Sequence, residues 1–298
     1  MSSVAPVAPM ITDAECGKGL LALLGGACVI GLAPILVRLS QAGPAATGFW
    51  RLLFSLPLLA TLASRSSSGV GRPFRLGLLA GAAFALDLGF WHYGIANTSV
   101  GKATVLTNLT PVVVTAIAWI VLKQRPARLF LVAVALAVAG ASIMAVTKGV
   151  GSVGPNPHLG DALSLATAVW YALYFLAVSA ARRDEAATRI MFWSSVTGAP
   201  LLLGAALLLG EPVLPAAAAG WAACVGLGVV HVAGQGSIAW ALGRLPPATA
   251  SVTVLVQPVV AGGLGWLLFN ELFSAWQSVG AAVALAGVVL AQWSSRSR

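Results

Sequence analysis

Ten long apolar runs, parted by short breaks that hold charge, proline or glycine, dominate this sequence. They are Gly19–Val37, Ala45–Ala63, Leu76–Ala96, Ala103–Leu122 and Leu129–Val146. The second half continues with Leu159–Ala180, Ile190–Leu209, Ala216–Leu242, Ala248–Phe269 and Ala275–Gln292. A bilayer core about 30 Å thick takes about 20 helical residues per crossing. Ten crossings use most of 298 residues, so no stretch is left to fold as a separate domain. Charged residues make up 8% of the chain and mean hydropathy is +0.93, too little polarity to cover a water-facing surface. The expected fold is an all-α membrane protein of ten transmembrane helices.

Basic residues set the expected orientation. Lys18, Arg65, Arg72, Arg75, Lys123, Arg125, Arg128, Arg182, Arg183, Arg189, Arg244, Arg296 and Arg298 fall in the even-numbered connections and the two tails. The odd-numbered connections and their edges hold Arg38, Lys102 and Lys148, and Arg51 falls inside a crossing. Short loops rich in Lys and Arg stay on the cytoplasmic side, which places both termini inside a bacterial-type inner membrane. The net charge of +9 is thereby read as a topology signal, and nucleic acid is excluded as a partner. Met1 to Gly17 carry Asp13 and Glu15 but no basic leader region, so no cleaved signal is expected. Cys16, Cys28 and Cys224 are scattered without metal spacing and read as packing residues.

An internal repeat emerges at constant offset. Ala103-Thr104-Val105 matches Ala250-Ser251-Val252, Pro111-Val112-Val113 matches Pro258-Val259-Val260, Trp119 matches Trp266, and Gly140 matches Gly287. Crossing four pairs with crossing nine and five with ten, so each half has five crossings. An odd number turns the halves over relative to one another. The expected organisation is a tail at 1–18, a five-helix unit at 19–148, an outer connection at 149–158, a second unit at 159–293 and a tail at 294–298. Inverted repeats of this kind recur in alternating-access carriers, with the substrate site between halves near the midplane; channels and scaffolds also arise by duplication.

Leu109-Thr110-Pro111 through Trp119, with its counterpart Val256-Gln257-Pro258 through Trp266 and Glu271, resembles the EamA module. Gly160-Asp161 and Arg51 fit the same pattern, and the resemblance covers nearly the whole chain. Two such modules in tandem characterise the drug/metabolite transporter superfamily. Trp91-His92-Tyr93 in crossing three is similar to the branch that exports aromatic amino acids and methyl viologen (YddG-like). One departure is Gln124, where many modules carry a glutamate. The resemblance implies a ten-helix basket with a central cavity and export of amino acids, related small metabolites or drugs.

Intramembrane polar groups are costly, so each one calls for a partner or a task. His92, Trp91 and Tyr93 could stack on or bond to a substrate side chain, or the two aromatics could form an interfacial belt. Arg51, about 9 Å below the outer edge, and Asp87, about 15 Å below it, are within reach of each other. They are expected to pair; an unpaired Asp87 could instead couple transport to protons. Asn108 on crossing four and Gln257 beside Pro258 offer polar contacts, while Pro111 and Pro258 free carbonyls and permit bends. Trp170 and Tyr174 share a face of crossing six with Tyr171 turned away. His231 and Gln235 share a face of crossing eight, as substrate contacts or as an interhelical hydrogen bond. Asp161 is expected to cap crossing six. Neither a metal site nor a cofactor is read from these residues.

The functional expectation is an exporter of small molecules, with lipid as its solvent and protons as a candidate coupling ion. The competing classes are an intramembrane enzyme, which would need a recognisable nucleophile motif such as Gly-x-Ser-x-Gly, and a passive channel or scaffold.

Overall fold

The computed structural model describes residues 13–66, 69–98, 103, 106–121, 123–146, 155–260, 263 and 274–296. Thr104, Val105, Trp266 and Glu271, which carry part of the repeat and of the family resemblance, lie outside the described residues, as do Lys102 and Lys148.

Among the described residues six helices are long and apolar enough to cross a membrane and four shorter apolar helices accompany them. These ten follow the ten apolar runs in order. Helix α1 (Asp13–Ile30) and α2 (Ala33–Leu39) make crossing one, α3 (Pro44–Ser64) crossing two, and α4 (Arg75–Asn97) crossing three. Helix α5 (Thr110–Ile120) lies in crossing four and α6 (Arg128–Val146) in crossing five. Crossings six and seven are α7 (Pro157–Ala181) and α8 (Ala187–Leu208). Crossing eight is α9 (Ala218–Val230), a π-helical turn at His231–Gln235, and α10 (Gly236–Ala241). Helix α11 (Pro247–Val254) lies in crossing nine and α12 (Ala275–Arg296) in crossing ten. Large apolar side chains such as Leu21, Leu79, Ile120, Leu208 and Val289 remain exposed, as lipid-facing surface requires.

Crossing one starts six residues earlier than the apolar run, with Glu15 and Lys18 paired in its opening turns. Glu15 pairs with Lys18 and, across the bundle, with Arg244, each at 2.9 Å. The helix breaks at Gly31-Leu32, ahead of Pro34 in the first turn of α2, where the missing N–H of proline is tolerated. Asp161 does not cap crossing six. Asn156 is the cap, accepting from the Leu159 amide at 3.2 Å, and Asp161 accepts instead from the Thr98 hydroxyl at the end of α4.

Small residues set the helix directions. A side chain at Gly140 of α6 would collide with the Ala284 backbone and the Gly280 carbonyl of α12; one at Gly287 of α12 would collide with the Ala137 backbone and the Ala133 carbonyl of α6. As α6 runs forward, its neighbours on α12 run backward, so crossings five and ten are antiparallel. The same reading makes α3 antiparallel to α8, where Gly48 meets Leu202 and Ser55 meets Ser195. Helix α4 runs parallel to α8, with Gly81 on Ser194 and Gly89 on Leu202, and antiparallel to α7, with Gly94 on Ser164 and Gly160 on Thr98. Every one of these directions is the one that ten alternating crossings require. Helices gain no hydrophobic driving force from one another in lipid, so close backbone approach at such residues is what holds them.

The Glu211 carboxylate, in the α8–α9 connection, accepts from the Ala45 and Ala46 amides at the start of α3, at 3.2 and 3.0 Å. Beside it the Gly43 amide donates to the Pro212 carbonyl at 2.8 Å and the Trp50 indole donates to the Val213 carbonyl at 2.8 Å. An anion on these orphan amides complements the helix dipole.

Two outcomes are expected in detergent unfolding. Gly140→Ala and Gly287→Ala each destabilise by about 1–3 kcal/mol and by similar amounts, since each forces α6 and α12 apart at matching places. Glu211→Ala costs about 1–2 kcal/mol, the usual value of a helix cap.

Candidate functional site

The α4 backbone can lie close to α7 and α8 because glycines face both neighbours, and this brings its inward face against them. Phe84, Asp87 and His92 are side chains of this helix, all buried. Arg51 comes from α3, is 5% exposed, and lays its guanidinium over the Phe84 ring at 5.5 Å. Phe84 also meets Tyr174 of α7 at 4.8 Å and His231 of the π-helical turn at 5.2 Å between ring centroids. Arg51 lies within electrostatic range of Asp87, His92, His231, Tyr171 and Tyr174. Tyr171 and Tyr174 stack nearly parallel at 6.0 Å, and both lie beside the Gln235 carboxamide.

The expected Arg51–Asp87 ion pair is not formed. The ion pairs among the described residues are Glu15–Lys18, Glu15–Arg244 and Glu185–Arg189, all at helix ends. Asp87 is 8% exposed and sits one turn beyond Phe84, while the guanidinium is drawn onto the Phe84 face instead of onto the carboxylate. The expectation for Tyr171 also changes: stacked on Tyr174, it belongs to the cluster.

Many polar atoms here are buried with no hydrogen-bond partner among the described residues: Arg51 Nε, both ring nitrogens of His92, Tyr93 Oη, Trp170 Nε1, His231 Nδ1 and Gln235 Nε2. His92 lies beside the Pro44 carbonyl at the start of α3 without a well-formed bond to it, and its ring tilts against Trp91 at 5.0 Å. Trp170 meets Phe90 edge-on at 6.1 Å. Buried polar groups are normally satisfied, so a concentration of orphan donors marks a place built to meet a polar ligand or water.

Asn108 and Gln257 stand at helix breaks. A turn at Asn108-Leu109 precedes Pro111, and a turn at Leu255 precedes Pro258, so both prolines open a new helical segment at equivalent places in crossings four and nine. Asn108 Nδ2 and Gln257 Nε2 are likewise buried and unpartnered among the described residues. No hydrogen bond or ring contact among those residues joins them to the Arg51 group.

His231 anchors one further chain, which sequence reasoning missed. Ser55 Oγ donates to Ser195 Oγ at 3.2 Å, and Ser195 Oγ lies 3.4 Å from His231 Nε2, linking α3, α8 and the π-helical turn. The π turn widens the helix by one residue at this point, a feature often found at functional sites. No side-chain pattern foretells it. Phe84, which meets Arg51, Tyr174 and His231, was hidden among the apolar residues of α4.

A separate depression of about 480 Å³ opens at the α7–α8 turn between Ser66, Arg182, Thr188 and Trp240. It lies at a bundle end, apart from the Arg51 group. No cluster of three or more His, Cys, Asp or Glu side chains able to hold a metal occurs among the described residues. Cys16, Cys28 and Cys224 are free thiols.

Comparison with known proteins agrees with this architecture. A curated relative, an uncharacterized transporter of Archaeoglobus fulgidus, is 27% identical over 277 residues, covering 92% of this chain and 96% of that protein. A crystal structure with 16% sequence identity superposes with a TM-score of 0.76 over 94% of this chain and 98% of its own, a likeness of fold. The pattern of one family matches twice in succession, at residues 17–146 and 158–293. The chain therefore belongs to the EamA-like transporter family and is a multi-pass membrane transporter.

Proposed function

We propose that this protein exports small amphipathic metabolites, amino acids above all, from the cytoplasm by alternating access between two inverted five-helix units. The observation that carries the reading is the group of buried, unpartnered polar atoms around Arg51, enclosed by helices from both halves of the chain. Aromatic faces at Phe84, Tyr171 and Tyr174 beside the Gln235 amide suit a ligand that is polar at one end and apolar at the other.

The twofold family match supports units at 19–148 and 159–293, joined by 149–158 and flanked by tails at 1–18 and 294–298. The antiparallel α6–α12 seam, with Gly140 and Gly287 in reciprocal positions, supports an inverted relation between them. The breaks before Pro111 and Pro258 supply paired points at which crossings four and nine can bend. The distribution of Lys and Arg supports cytoplasmic termini in an inner membrane. His92, Trp91, Tyr93, Trp170, Tyr174, Gln235, Asn108 and Gln257 are the proposed substrate contacts, and Asp87 is a candidate proton carrier.

The Ser195–His231 juxtaposition gives the enzyme reading its one specific footing. A spacing of 3.4 Å is long for an activated nucleophile, and His231 Nδ1 finds no orienting partner among the described residues. An interhelical contact is the better account.

Two measurements test the proposal. In proteoliposomes, saturable flux without chemical change is expected, and His92→Ala lowers kcat/KM about tenfold or more while leaving the detergent unfolding temperature nearly unchanged; unaltered kinetics for every amino acid tried would remove His92 from the site. Single-cysteine labelling from each side of the membrane places both termini on the cytoplasmic face. Finding them on opposite faces would end the inverted arrangement.

A further inference from the structure

Arg51 and Asp87 are ionisable groups of opposite sign on adjacent helices, both more than nine-tenths buried, near enough to feel each other and yet not joined. Burying one charge is costly; burying two without closing the pair forgoes the contact that would offset the cost. Arg51 Nε has no acceptor among the described residues, and a face-on ring such as Phe84 steadies a guanidinium without using its in-plane N–H donors. An open, net-neutral pair of this kind is complementary to a ligand that carries its own two charges.

We propose that Arg51 and Asp87 together read a zwitterion: the guanidinium takes the substrate's carboxylate, the Asp87 carboxylate takes its ammonium group, and the aromatic faces of Phe84, Tyr171 and Tyr174 receive its side chain. The proposal rests on the exporter reading and narrows it, since intact amino acids are selected over organic cations and over simple acids. An amine lacking the carboxylate leaves Arg51 uncompensated, and an acid lacking the amine leaves Asp87 so. Each omission strands a buried charge, which is the strongest basis for rejecting a near-isosteric ligand. Arg serves here where Lys would not, because its fork presents two parallel donors to a carboxylate.

The test uses the full-length protein in lipid nanodiscs and proteoliposomes. Phenylalanine, leucine and threonine are each compared with the amine left by removing the carboxyl group and the acid left by removing the amino group. Binding is read by thermal shift and calorimetry, and transport by competition. The expected result is that both truncated compounds bind at least tenfold more weakly than the parent. Arg51→Gln then erases the preference over the amine, and Asp87→Asn the preference over the acid. Should either variant misfold, the comparison on the unaltered protein still decides. Equal binding of the amine or the acid, or failure of all three amino acids to bind, overturns the proposal. The two readings fail separately: saturable flux of non-zwitterionic solutes alone defeats the zwitterion reader and keeps the exporter, whereas zwitterion binding without flux keeps the reader and defeats the exporter.

Discussion

Lipid offers no hydrogen-bond partner, and everything else in this molecule follows from that constraint. Backbone amides and carbonyls must be satisfied within each crossing, which makes every crossing helical. Helices surrounded by hydrocarbon cannot be driven together by apolar burial, so they depend on close approach at small residues. Gly140 against Ala284, Gly287 against Ala137 and Gly81 against Ser194 are such points, and the direction of each crossing is legible from them. Where helical bonding is interrupted, at Gly31-Leu32, Asn108-Leu109, Leu255 and the π-helical turn, the interruption coincides with a proline or with an interior polar residue.

The same constraint governs the side chains. Polar groups at the bundle ends find partners readily. Arg189 pairs with Glu185 at 2.6 Å and also donates to the Arg72 carbonyl, Trp193 donates to the Val70 carbonyl, and Arg244 covers the Trp240 ring. Polar groups around Arg51 do not. Arg182 Nε, Thr188 Oγ1 and Arg189 Nε at a bundle end are also unpartnered among the described residues, but the larger share of such atoms lies around Arg51. Unsatisfied buried donors cost stability, so their concentration around Arg51 calls for a partner such as water or a polar ligand.

How much of this was visible in the sequence depends on which force wrote each feature. The ten crossings were legible because the bilayer imposes long apolar runs directly, and the repeat because proline and glycine at matched places do specific jobs. The members of the proposed site could be picked out singly: Arg51, Asp87, His92, Tyr174 and Gln235 stand out because polar residues are scarce in the crossings. Their arrangement was not. The Arg51–Asp87 pair was inferred from depth alone, which cannot register that the Phe84 ring competes for the guanidinium. Tyr171 was turned away by helical geometry about a single helix, though stacking on Tyr174 draws it inward. Asp161 had the composition of a cap, but Asn156 lies closer to the first turn and Thr98 gives the aspartate other work. The π-helical turn at His231 belongs to packing and has no sequence signature.

A scaffold built from two successive copies of one family unit should present two equivalent faces to its interior, and the interior of this one is not symmetric. Arg51 and Asp87 belong to the first half of the chain, on α3 and α4, with Phe84 and His92, whereas α7 and the π-helical turn contribute Tyr171, Tyr174, His231 and Gln235. Symmetry persists where packing needs it, at the α6–α12 seam and at the paired proline breaks, because there each unit must fit its counterpart. Arg51 and Asp87, by contrast, have no charged counterpart in the second half's share of the group. Under the proposed alternating access, a group drawn from both halves is held together only while those halves are closed on each other.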